Sequence, residues 1–174
     1  NHAQGVVACD FFVVVTATFR LLYVFVMIEH ERRRLLHVNV TANPTAQWTL
    51  QQFREAIPVD HGYRFLIHDR DSIFSNQVDQ GVRHRGLRVR KTPVRTPVAN
   101  AICERVIGTI RRECLDFVIA RNECHLFGLL KEWVTHDNEG RPHISLGPGI
   151  PQPRAPLPVS HQVHRHQIPR GQRV

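Results

Sequence analysis

The stretch VVACDFFVVVTATFRLLYVFVMIE, residues 6–29, decides the fold. Its inner run, Phe11 to Ile28, is eighteen residues long with a single charge. That length approaches a membrane-spanning helix. Arg20 sits near its middle, where a charge in lipid is costly. The run is rich in Val, Phe and Thr, which favour strands. Thr16 to Arg20 divides it into two halves of strand length. Two buried strands joined by a turn account for it better than a membrane span. A third strand follows at Leu35 to Val40 (LLHVNV), which predicts an antiparallel meander.

Working outward, Pro44 and Thr45 open a helix whose apolar face includes Trp48, Phe53 and Ile57, closed by Pro58. Tyr63 to Ile67 (YRFLI) reads as a fourth strand and Leu87 to Lys91 (LRVRK) as a fifth. Residues 73–84 between them are ambiguous, with a short helix as one reading. Thr96 can cap a long helix over 98–120, with Pro97 at its first position. Ile102, Cys103, Val106, Ile107, Ile110, Cys114 and Phe117 supply its core-facing stripe. Another helix is expected from His125 to about Asn138. Seven of the eleven prolines lie between Pro142 and Pro169, so residues 142–174 read as an extended or disordered tail following a domain of 1–141. The order of elements predicts an α/β sheet flanked by helices. Neither G-x-G-x-x-G nor a phosphate-binding G-x-x-x-x-G-K motif is present.

With 174 residues the chain is one domain, or a domain and a tail. It has no opening Met and no secretory signal, and reads as a fragment. Its four cysteines form no C-x-x-C pair, which argues against a zinc ribbon and for free thiols in a reducing cytosol. The net charge of +8 is unevenly placed. Residues 80–103 carry six basic and no acidic side chains, and 141–174 carry five and none. A polyanion partner and ordinary solubility charge both explain such segments. His161, His164 and His166 form a small cluster in the tail, where a basic disordered end explains them better than a metal site.

Three acids stand out. Asp10 lies inside an apolar strand, where a carboxylate needs hydrogen bonds, a counter-charge or a metal. Asp69 follows a strand directly, at a strand end where ligand sites often lie, with Asp71 as its competitor; a turn carboxylate is the plainer reading. Glu104 stands near the start of the long helix, where the helix dipole alone favours it. Asn100, Gly108 and Arg111 share its stripe. Gly108 costs the helix about 1 kcal/mol against Ala. Either a close helix contact or an approaching nucleic-acid backbone would account for it. Three carboxylates on two strands and a helix could converge on a divalent metal, whose shell substrate phosphate would complete.

The sequence resembles the catalytic core of DDE transposases and retroviral-type integrases, particularly bacterial insertion-sequence members. The similar stretches are ACDFFVVVT around Asp10, FLIHDRDSIFS around Asp69, TPVRTPVANAICERVIGTIRRECLDFV around Glu104, and WVTHDNEGRPHISLG. Asp69 and Glu104 are 35 positions apart, as that family's spacing expects. The resemblance covers residues 6 to about 153. It implies a ribonuclease H-like α/β fold, a five-stranded mixed sheet flanked by helices. It implies that Asp10, Asp69 and Glu104 are catalytic and bind Mg²⁺ or Mn²⁺, two ions in all. It implies cleavage and transfer of DNA strands, with DNA as partner, a homo-oligomer on that DNA, and a place in the bacterial cytosol at the nucleoid.

Asn100, Arg105, Arg111 and Arg112 are then candidates for DNA contact, as are Arg88, Arg90, Lys91 and Arg95 of the basic segment. His68 is a weaker candidate for orienting the Asp69 carboxylate or contacting substrate. The amino-terminal DNA-binding region common in the family is expected to be absent. Asp137 stands where many relatives carry Tyr, and threatens a packing site with a carboxylate. An inactive DNA-binding or assembly remnant, or a ribonuclease H-like nuclease of another branch, would share these features.

Overall fold

The computed structural model describes residues 5–92, 100–141 and 151. The apolar run of residues 6–29 forms β1 (Val6–Val15) and β2 (Leu21–Glu29), paired antiparallel from Val7↔Glu29 to Val15↔Leu21. At their turn, Arg20 N donates to Thr16 Oγ1 at 3.0 Å. Among the described residues no helix is long and apolar enough to cross a membrane.

The chain continues through β3 (Leu35–Thr41), α1 (Ala46–Ala56), β4 (Phe65–His68), α2 (Asn76–His84), β5 (Arg88–Lys91), α3 (Ala101–Glu113) and α4 (Glu123–Gly140). The sheet order is β3-β2-β1-β4-β5. β3 pairs antiparallel with β2, whereas β4 and β5 run parallel to β1, so the five-stranded sheet is mixed.

Side-chain alternation assigns each strand residue to one of two faces. On the first face Ala8, Phe12, Val24, Val26, Val38 and Val40 meet Cys103 and Ile110 of α3 and Leu126, Leu130 and Trp133 of α4. On the second, Val7, Cys9, Phe25, Met27 and Leu66 meet Phe53 of α1 and Val78 and Val82 of α2. Thr45 caps α1 by accepting from Trp48 N at 3.2 Å, as the sequence led one to expect. The ambiguous 73–84 stretch supplies α2, and the four cysteines are free.

Two expectations are corrected. β4 begins at Phe65, not Tyr63. α3 ends at Glu113 and gives way to a 3-10 turn over Leu115–Phe117. Phe117 therefore leaves the stripe and is 79% exposed. Thr96 and Pro97, its expected cap and first residue, lie outside the described residues, as do the tail residues His161, His164 and His166.

α4 is tied to the sheet edge by one side chain. Asn138 Oδ1 accepts from Leu35 N, and its Nδ2 donates to Leu35 O, both at 2.9 Å and buried. Its neighbour Asp137 is buried too, and Arg141 lies 3.6 Å from its Oδ1, so the carboxylate is met by a guanidinium. Asn138→Ala leaves both Leu35 groups without that partner. The expected loss is about 2–4 kcal/mol, read as a fall in the urea midpoint.

Candidate active site

β1 and β4 are adjacent and parallel, with Val6 beside Phe65, Val7 beside Leu66 and Ala8 beside Ile67. Continued by two residues, that register brings Asp10 level with Asp69, one position past the end of β4. Neighbouring strands lie about 4.8 Å apart. Asp10 falls between Ala8 and Phe12 on the first face, and Asp69 follows Ile67 on the same face. α3 packs there through Cys103 and Ile110, and its next residue after Cys103 is the exposed Glu104. The three acids of the sequence reading are thus brought to one end of one face.

Their electrostatics report the crowding. The Asp10 carboxyl is pushed up from 3.8 to about 7, first by burial and then by the Asp69 carboxylate, with smaller contributions from Glu104 and Asp71. The Phe11 amide, which donates to Asp10 Oδ1 at 2.8 Å, opposes the rise. Burial likewise pushes the thiols of Cys9 and Cys103 up, and neither behaves as a nucleophile.

Asn100 is 3% exposed and donates through Nδ2 to Asp10 Oδ2 at 2.9 Å. Asn100, a candidate for DNA contact from the sequence, is buried here and holds Asp10. Its Oδ1 is buried without a hydrogen-bond partner. Asp69 Oδ1 accepts from Asp71 N at 2.9 Å, while Asp71 Oδ1 accepts from Ile73 N and closes the turn. Asp71 is therefore the turn former, and Asp69 the acid aligned with Asp10.

Alternation also sorts the basic segment. Arg88 and Arg90 lie on the first face, opposite Phe65 and Ile67, and both are exposed. Arg90 stands over the Phe65 ring at 5.6 Å, and Arg64, Phe65, Gly86 and Arg88 line a recess beside it. Lys91 lies on the second face, where its Nζ is 2.8 Å from Asp79 Oδ2. In this structure that ion pair engages Lys91, one of the candidates for DNA contact. On α3, Arg105 and Arg112 are exposed; Arg111 donates to Val13 O at 3.4 Å and lies over Phe12. Arg95 lies outside the described residues.

The His68 ring makes no hydrogen bond to the Asp69 carboxylate; its Nδ1 meets the Asp69 carbonyl oxygen instead, at 2.6 Å. It points to the second face, with Nε2 3.0 Å from Asp79 Oδ1. The sequence reading passed over Asp79. Its signal was an acid between Val78 and Val82 on the apolar stripe of α2.

Among the described residues, a Cβ at Gly108 would meet only the Arg112 side chain, at 3.2 Å to Nη1. A close helix contact does not explain this glycine. Gly108→Ala is expected to stabilise the chain by about 0.5–1 kcal/mol, seen as a raised Tm.

As the side chains stand, no group of three His, Cys, Asp or Glu among the described residues is arranged to hold an ion. The donor chemistry nevertheless fits a hard divalent cation. Carboxylate oxygens are what Mg²⁺ and Mn²⁺ take, and a cation would relieve the mutual repulsion that raises Asp10.

Comparison with known proteins agrees with this geometry. A profile of the integrase core domain matches residues 85–151, which include β5, α3 and α4. The catalytic core of bovine immunodeficiency virus (BIV) integrase superposes with a TM-score of 0.61 at 13% identity, covering 83% of this chain and 90% of that one. Over residues 85–151 the chain thus resembles the integrase core domain, and over most of its length it has the fold of a retroviral integrase core. The magnesium complex of the HTLV-2 integrase catalytic core superposes with a TM-score of 0.65 at 13% identity, over 83% of this chain and 91% of that one. The chain shares their ribonuclease H-like fold. In Escherichia coli the transposase InsD of insertion element IS2D is 33% identical over 73 residues, 42% of this chain and 24% of the relative. The putative transposase InsD of IS2E matches to the same extent, over 34% of its length. The matched stretch thus spans a quarter to a third of these curated relatives.

Proposed function

We propose that this chain carries the catalytic centre of a DNA transposase, cleaving and joining DNA strands with Asp10, Asp69 and Glu104 as its metal-holding acids. The observation that carries the reading is the Asp10 carboxyl, pushed to about 7 by burial beside Asp69 and Glu104. A fold gains nothing in stability from crowding acids in this way; a site that receives cations does. Asp10 and Asp69 on adjacent strands, with Glu104 from α3, would hold the ions. Two divalent ions, when bound, activate an attacking oxygen and stabilise a leaving one in phosphodiester transfer. Asn100 keeps Asp10 turned toward the first face. Arg88 and Arg90 offer a basic ledge for DNA phosphates beside Asp69, joined by Arg105, Arg111 and Arg112 from α3. Such contacts bring affinity and salt dependence with little sequence information. Water and then a DNA 3′-hydroxyl are the attacking groups, with no covalent bond between protein and DNA. Copies of the chain would act together on the DNA.

Incubation of the chain with branched or end-bearing DNA duplexes in Mg²⁺ or Mn²⁺ tests this. Nicked and joined strands that vanish with EDTA are the expected products. DNA binding without any product would mark an inactive remnant. Cleavage of an RNA–DNA hybrid without joining would mark a nuclease of another branch.

A further inference from the structure

Directly behind Asp69, on the second face, lies a buried polar cluster that strand transfer itself does not use. His68 is 1% exposed and stacks on Phe74, with ring centroids 4.4 Å apart. Its Nε2 is 3.0 Å from Asp79 Oδ1, and its Nδ1 is 2.6 Å from the carbonyl oxygen of Asp69. Both neighbours are acceptor oxygens, so the ring is pinned between the Asp79 carboxylate and the Asp69 carbonyl. Asp79 is itself buried, and its other oxygen is held by Lys91 of β5 at 2.8 Å. Thr92 N donates to His68 O at 3.0 Å, and Arg70 Nε donates to Thr92 O at 3.1 Å. Burying an acid and an imidazole together is costly, and an apolar pair would fill the same space.

We propose that His68, held by Asp79, is a positioning residue that clamps the Asp69 peptide and so fixes where its carboxylate stands. This rests on Asp69 being a metal ligand. Asp69 lies just past the end of β4, where the strand ladder no longer governs its backbone. The His68 bond ties down its carbonyl from behind, and the Asp71 amide ties its Oδ1 from the front. A ligand constrained at both ends presents its free oxygen in one direction. Loss of such a supporting bond weakens metal binding about 10–100-fold.

The test measures Mn²⁺ affinity of the chain by electron paramagnetic resonance, with thermal melting alongside. His68→Phe keeps a ring against Phe74 and removes both bonds. It is expected to raise the Mn²⁺ dissociation constant about 10–100-fold. Phe74→Leu keeps both bonds while loosening the packing, and is expected to lower the Tm but leave the Mn²⁺ constant within about twofold. If His68→Phe does not fold, Asp79→Asn carries the test, with an expected rise above about threefold. An unchanged constant in the folded His68 or Asp79 variant overturns the clamp, as does an equal loss in Phe74→Leu. Wild-type chain that binds no Mn²⁺ overturns the metal-ligand reading together with the clamp. Wild-type binding lost in Asp69→Asn but untouched in His68→Phe overturns the clamp alone.

Discussion

Asp10→Asn is expected to stabilise the metal-free chain by up to about 4 kcal/mol at pH 8 and by almost nothing below pH 4. The Asp10 carboxyl is held at about 7 in the fold, against an ordinary 3.8. Between those values the folded chain keeps a proton that the unfolded chain has released. Stability therefore falls as pH rises through that window and levels off above it. Asn carries no charge at any pH and escapes the fall. Its one amide oxygen keeps either the Phe11 or the Asn100 bond, and loss of the other trims the gain equally at every pH. Urea denaturation in EDTA from about pH 4 to pH 8 measures the difference. An advantage that does not grow with pH would mean that carboxylate crowding is not what burdens this site. Added Mn²⁺ is expected to reverse the ranking, because a cation offsets the repulsion in the wild type and has less to bind in the variant.

The hairpin was legible because its evidence is local. Arg20 and the Val-Phe-Thr composition lie within the run itself, and β-strands need no distant information to be recognised there. The helix around Phe53 was legible for the same reason, with Thr45 and Pro58 marking its ends. The end of α3 was not. Phe117 is seven residues after Ile110 and fits the apolar stripe, but periodicity assumes that the helix continues. No Gly or Pro announces the stop at Glu113. The three acids could be named from spacing and resemblance, yet which face each neighbour occupies depends on the β1–β4 register, a long-range property. That register sends His68 and Lys91 to one side and Arg88, Arg90 and Asp69 to the other. A run such as RVRK looks uniformly basic in the sequence. In the sheet it divides into an exposed pair of arginines on the face of Asp69 and a lysine bound to Asp79. The burial of Asn100 was not legible because residues near a helix start are usually exposed, whereas this one is drawn under the site by Asp10.

Glu104→Gln and Asp69→Asn are each expected to cut metal-dependent strand cleavage on the order of 10³-fold while leaving the fold intact. Glu104 is exposed, so its neutral analogue disturbs no packing. Asp69 is half-buried, and Asn can still accept from the Asp71 amide. Neither change should lower the Tm, so lost activity would report lost chemistry. Asp71→Asn supplies the contrast. Asp71 closes its turn by accepting from Ile73 N, a bond that the Asn oxygen reproduces, and activity should remain within about threefold of wild type. Asp10→Asn combines the two behaviours: cleavage is lost while the metal-free fold is strengthened. That opposition separates a site selected for holding cations from one selected for stability, where the same substitution would weaken both. A triad variant with full cleavage, or an Asp71 variant with none, would move the metal-holding role off Asp69 and Glu104. Cleavage rates of the four variants at matched Mn²⁺, read beside their melting temperatures, decide between these outcomes.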